Sequence, residues 1–118
     1  MGNDKLLYGN LVKIIDRYTD KFGKEYQLNE NKFYELHMIS NLANKVFDEM
    51  DCDDVEIVVD EKEKSLKLEF ISCSVYIDDI MSSNTFKLSR ITNSTVFSTT
   101  KDHDLRISFT INDLWETC

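Results

Sequence analysis

Apolar residues recur every three or four positions in the first half of this chain and every second position in most of the second half. Leu6, Leu7, Leu11, Ile14, Ile15, Tyr18 and Phe22 follow the first rhythm. That spacing puts them on one side of a helix. Asn3 or Asp4 can cap its start, and Gly23 stands where a left-handed residue would end it. A second helix is predicted from Asn29, whose side chain can accept from first-turn amides, with Glu30 at the positive end of the dipole. Its stripe is Phe33, Leu36, Ile39, Ala43, Val46 and Met50, with Leu42 and Phe47 beside it.

The rhythm then changes to two. Val55, Ile57 and Val59 share one face of "DVEIVVD", and Leu66, Leu68 and Phe70 oppose Lys67 and Glu69 in "SLKLEFIS". The short charged "EKEK" between them predicts a hairpin. "STVFSTT" and "LRISFTI" form a second pair around "KDHD", with Leu105, Ile107, Phe109 and Ile111 on one face. Between the hairpins, Phe86, Leu88 and Ile91 suggest a short helix from about Thr85 to Ile91. The predicted order is α-α-β-β-α-β-β. One apolar face per strand means a sheet covered on one side. The expectation is a two-layer α+β domain, with helices packed on one face of a mostly antiparallel four-stranded sheet. Trp115, past the last predicted strand, is expected to fold back over the core.

Composition narrows the function classes. At 118 residues the chain reads as a single domain, 1–118, long enough to bury a core. Its net charge of −8 disfavours nucleic acid and anionic membranes as partners. Eight acids crowd together: Glu49, Asp51, Asp53, Asp54, Glu56, Asp60, Glu61 and Glu63. They read as a solvated rim, or as a docking patch for a basic partner. Cys52, Cys73 and Cys118 are odd in number, far apart in sequence and form no CxxC pair. Neither a disulfide framework nor a zinc site is expected. No signal peptide precedes the first helix and no apolar run approaches a membrane span, so the expected location is cytoplasmic. "MGNDKL" lacks the hydroxyl residue of a myristoylation signal.

Candidate chemistry is sparse. His37, Ser40 and Asn44 form a polar stripe on the second helix. A phosphotransfer histidine would look like this, and so would a boundary residue; Phe33 and Asn41 flank His37 at i±4, so no charged neighbour tunes it. His103, between Asp102 and Asp104, reads as a solvated turn and not a metal ligand. "DCDDVE" lacks the glycine and the spaced glutamate of a calcium loop. No GxSxG occurs. The three glycines, Gly2, Gly9 and Gly23, precede everything that could cradle a phosphate, because such loops use positive φ that other residues resist.

From about Leu6 to Ile111, the element order and apolar spacing resemble the GHKL (Bergerat-fold) ATPase domains. The serine-kinase anti-sigma factors and histidine-kinase catalytic domains are the most similar members. The likeness rests on "FGKEYQLNENKFYELHMISNLANKVFDEM", the hairpin that follows, and "FKLSRITNSTVFSTTKDHDLRISFTI". The resemblance implies a metal-binding asparagine at Asn44, but the glutamate four residues before it is replaced by Ser40. The adenine-reading Asp-x-Gly-x-Gly falls on Ser72, Ser74 and Tyr76. The lid glycines fall near Ser83 and Thr85. A serine is shorter and uncharged, and the Tyr76 ring fills space that the nucleotide needs bare. The resemblance therefore implies a degenerate nucleotide site without ATP, metal or other cofactor. The expected function is regulatory and non-catalytic, through binding of another protein with a basic surface or through self-association. Phosphotransfer or kinase-like chemistry at His37 is the alternative.

Overall fold

The computed structural model describes residues 8–73, 83–99 and 104–118. Three helices run over α1 (Tyr8–Phe22), α2 (Glu30–Glu49) and α3 (Ser83–Ile91). Six strands accompany them: β1 (Tyr26–Leu28), β2 (Asp54–Asp60), β3 (Ser65–Cys73), β4 (Ser94–Thr99), β5 (Leu105–Ile111) and β6 (Trp115–Thr117). The fold is α+β, and β2-β3-β5-β4 form an antiparallel four-stranded sheet. Among the described residues, the order differs from expectation by β1 and β6, which pair with each other as a separate ribbon.

Register explains the core. The alternation in β2, β3 and β5 stacks side chains into rows across the sheet. One row runs Val59, Leu66, Ile111; the next Ile57, Leu68, Phe109, Thr95; the third Val55, Phe70, Ile107, Phe97. The β3 and β5 members of all three rows are fully buried. Phe70 and Phe109 meet edge to face at 5.5 Å, the arrangement the ring quadrupoles favour. The helices close over this face with Leu11 and Ile15 from α1, six apolar side chains from Leu36 to Met50 on and just after α2, and Leu88 from α3. The opposite face carries Lys67, Glu69 and Arg106, with both cations within 4.0 Å of Glu69.

Local chemistry sets the element ends. Gly23 takes φ +81° and stops α1. Asn29 caps α2, its Oδ1 accepting from the Lys32 amide at 3.2 Å. The end of α2 is a Schellman motif: the Cys52 amide reaches back to the Phe47 carbonyl (3.1 Å) and the Asp51 amide to Asp48 (3.2 Å). That motif needs a left-handed residue, and Asp51 supplies it at φ +48°. Cys52 and Phe47 are both buried, the apolar contact that accompanies the motif.

Near its end, between Phe70 and Cys73, β3 carries a bulge. Phe70 pairs with Ile107, but Cys73 pairs with Leu105, so β3 spends one residue more than β5. Ser72 lies at φ +54° within that step. The extra residue shifts the phase of the alternation, so odd-numbered Cys73 joins even-numbered Leu66, Leu68 and Phe70 on the buried face. The strand therefore does not simply end at Ser72.

Trp115 is buried, as expected, but within a strand instead of beyond the last one. Its ring packs edge-on against Phe22 at 5.0 Å, and its Nε1 donates to Thr19 Oγ1 at 2.9 Å. Leu28 pairs with Trp115, the Asn29 amide bonds the Leu114 carbonyl, and the Cys118 amide bonds Glu25. Lys32 adds a polar tie, reaching Glu35 (3.1 Å), Asp113 (3.6 Å) and the Ile91 carbonyl (3.5 Å).

Candidate functional site

The described residues singled out by sequence sit on α2, β3 and α3. His37, Ser40 and Asn44 lie on α2 and Ser72 lies in the β3 bulge. Ser74, Tyr76 and His103 lie outside the described residues, as do the proposed caps Asn3 and Asp4.

His37 is exposed on α2. Asn41, one turn on, brings its amide nitrogen to 3.5 Å from His37 Nδ1, and the Tyr8 ring meets the imidazole edge-on at 5.1 Å. Neither contact adds charge. Ser40 is buried, and its hydroxyl donates to the His37 backbone carbonyl at 3.0 Å. That bond occupies the hydroxyl inside its own helix, so Ser40 offers neither a base nor a ligand. Asn44 Oδ1 is buried without a hydrogen-bond partner among the described residues. One neutral amide oxygen does not make a magnesium site, which takes carboxylate or phosphate oxygens as well. No three His, Cys, Asp or Glu side chains converge among the described residues. Ser83 and Thr85, near which the lid glycines were expected, belong to the first turn of α3, and Thr85 is buried. Among the described residues, the donor set at the Asn44 position is a single amide oxygen.

The acidic stretch is partly committed to structure. Asp60 Oδ1 accepts from the Lys62 and Glu63 amides, both at 3.0 Å, and so shapes the β2–β3 turn. Glu61 pairs with Lys21 at 2.8 Å and raises its pKa above the ordinary value. Glu49 accepts from Asn84 at 2.8 Å. Asp51, Asp53 and Glu56 point to solvent at the end of α2 and along β2.

Sequence reasoning missed two features. The first is that Cys52 and Cys73, far apart in sequence, are both buried in the core. Hydrogen bonding toward Cys73, with burial, raises the Cys52 thiol above its ordinary pKa. Both are free thiols. The β2–β3 pairing runs to Asp54 with Ile71, and the Asp53 amide still donates to the Ile71 carbonyl at 3.0 Å, so Cys52 and Cys73 lie just beyond the paired segment. The second is β4, at the outer edge of the sheet. It carries no charge in Ser94–Thr99. Val96 is 54% exposed and Phe97 40% exposed. Elsewhere, a shallow cleft of about 390 Å³ is lined by Gln27, Leu28, Glu30, Phe33 and Tyr34. It holds one carboxylate and no base beside it.

No helix among the described residues is long and apolar enough to cross a membrane. No family model, curated protein or solved structure matches the chain.

Proposed function

We propose that this chain is a non-catalytic, regulatory protein-binding domain whose binding element is strand β4. The carrying observation is a six-residue edge strand without charge, bearing exposed Val96 and Phe97. Such an edge offers backbone donors and acceptors in a row, and an extended segment of another protein can complete them as a fifth strand. The element order resembling GHKL regulators supports the regulatory part of the reading. The solvent-facing acids Asp51, Asp53 and Glu56 favour a partner with a basic surface, in the cytoplasm and neither nucleic acid nor membrane. A second copy of the chain is one partner that such an edge admits.

The test is affinity capture from native cells with the wild-type chain and a Val96→Lys variant, each checked by thermal melting. A charge on an edge strand blocks strand addition. Partners lost by the variant at unchanged melting temperature support the reading; identical capture refutes it. Sedimentation of the purified chain separates self-association from a foreign partner. Binding that is flat across salt would remove the basic-surface component, since screening shortens to roughly 8 Å near physiological ionic strength.

The domain is also proposed to bind no ATP. With Ser72 in a bulge and Ser40 bonded within its helix, millimolar Mg-ATP should leave the melting curve unchanged. A ligand at 100 times its Kd would add about 2.7 kcal/mol, so a shift of several degrees abolished by Asn44→Ala would overturn this. The exposure of His37 keeps phosphotransfer as the second reading. A phosphodonor assay decides it: labelling lost in His37→Gln would replace the binding reading with a catalytic one.

A further inference from the structure

We propose that the groove between the β1–β6 ribbon and the first turns of α2 binds an arginine side chain of a partner polypeptide. Two adjoining lobes make the groove, and Gln27, Leu28 and Glu30 line both. Phe33 and Tyr34 complete the larger lobe, of about 390 Å³. Asn31 and Glu116 lie in the smaller, of about 290 Å³. None of these residues belongs to β4, so this site and the edge strand stand or fall separately.

Backbone geometry sets the walls. Gln27 and Glu116 are directly opposed across the ribbon, which places their side chains on one face of it. Glu30 and Tyr34 are four residues apart on α2, which stacks them on one face of the helix. Tyr34 is 76% exposed. The larger lobe therefore has an aromatic wall left in water, with a carboxylate one turn away.

The chemistry of the lining selects the occupant. It carries two carboxylates and no lysine, arginine or histidine. Among the described residues, neither Glu30 nor Glu116 has a cation partner. Lys32, the cation of the first α2 turn, is engaged with Glu35, Asp113 and the Ile91 carbonyl. The positive end of the α2 dipole lies here, but the full charge of Glu30 outweighs the roughly half charge of a helix end. An anion is thus repelled, and a cation with an apolar stem suits both walls. Arginine fits better than lysine. Its planar guanidinium is weakly hydrated, stacks on an aromatic face and takes a carboxylate through two parallel hydrogen bonds. The stem lies against Phe33 and Tyr34, the guanidinium meets Glu30, and Glu116 adds attraction from the second lobe. That second lobe also leaves room for the residue beside the arginine, which favours a polypeptide over a free guanidine.

The experiment titrates the intact, nitrogen-15-labelled chain with acetyl-Ala-Arg-Ala-amide and follows the backbone amides by NMR. The amides of Gln27, Leu28, Tyr34 and Glu116 should shift together and saturate. The same peptide with citrulline, which keeps the shape and removes the charge, should leave them in place. The lysine peptide should bind more weakly than the arginine peptide. Glu30→Gln should weaken binding by about tenfold, the worth of a charge-assisted hydrogen bond, and Tyr34→Ala should weaken it as well. Raised salt should loosen the complex. Equal shifts with the citrulline peptide, equal affinity for the lysine peptide, or shifts confined to Asp51, Asp53 and Glu56 would each overturn the proposal. So would unchanged affinity in Glu30→Gln and Tyr34→Ala. The wild-type titrations decide the matter even if a variant fails to fold.

Discussion

Strands β2 and β4 are the two outer strands of the same sheet, and β2 lines its outward positions with acids where β4 has none. Asp54, Glu56 and Asp60 alternate along β2 with Val58 among them, whereas Ser94, Val96 and Ser98 hold the corresponding positions of β4. Carboxylates along an edge repel a second acidic strand and keep the edge solvated. Hydroxyls and an exposed valine do neither. The contrast extends inward. Both strands end the same row, with Ile57 on β2 and Thr95 on β4 flanking Leu68 and Phe109. Ile57 completes that row with hydrocarbon. Thr95 completes it with a hydroxyl that is buried and has no hydrogen-bond partner among the described residues. One edge is thus guarded outside and well filled inside, and the other is open outside and imperfect inside.

This comparison can be broken or sharpened along that single row. Leu68 is common to both halves and fully buried, so Leu68→Ala should lower stability by about 2–5 kcal/mol; an unchanged urea midpoint would undo the register assigned here. Ile57 is only half-buried, so Ile57→Ala should cost about 1–2 kcal/mol, and a loss as large as at Leu68 would mean that β2 is no mere edge. Thr95→Val should move the other way. Replacing an unsatisfied hydroxyl with a methyl group of similar shape should raise stability by about 1 kcal/mol, visible as a higher urea midpoint, and a lower midpoint would show that the hydroxyl is satisfied. The smallest effect on stability belongs to Val96→Lys, within about 0.5 kcal/mol because the site is exposed, while binding at β4 is lost.

The layers were readable from the sequence because periodicity is a local signal. The stripe from Phe33 to Met50 and the alternation from Leu66 to Phe70 each fix a buried face without knowledge of the rest of the chain. Asn29 and Gly23 gave helix boundaries through equally local hydrogen-bond and backbone requirements. What escaped was information held between distant segments. A three-residue strand such as β1 has no period to detect, and only its pairing with β6 makes it a strand. The bulge at Ser72 escaped because serine carries no preference for positive φ, so the residue before Cys73 looked like the end of a strand. That error hid the burial of Cys73, since the unshifted alternation would turn it away from the core. Of the candidate site, the helical spacing of His37, Ser40 and Asn44 was legible, and all three lie on α2. The edge at β4 was visible as a strand, but its position at the rim depends on the 2-3-5-4 order, which no single segment encodes.

The β1–β6 ribbon has a kinetic meaning. It joins Tyr26 to Thr117 and Leu28 to Trp115, so everything between β1 and β6 must be enclosed as one loop before these contacts exist. Closing a long loop is entropically costly, and non-local pairing of this kind slows folding. The hairpins, whose partners are near in sequence, can form first and organise the ground on which Trp115 later docks. A partly folded chain would then contain its sheet while Phe22 and Leu28 still lacked their cover. Amide hydrogen exchange should report this sequence in reverse, with the ribbon amides of Gln27 and Glu116 opening at lower free energy than those of β3 and β5.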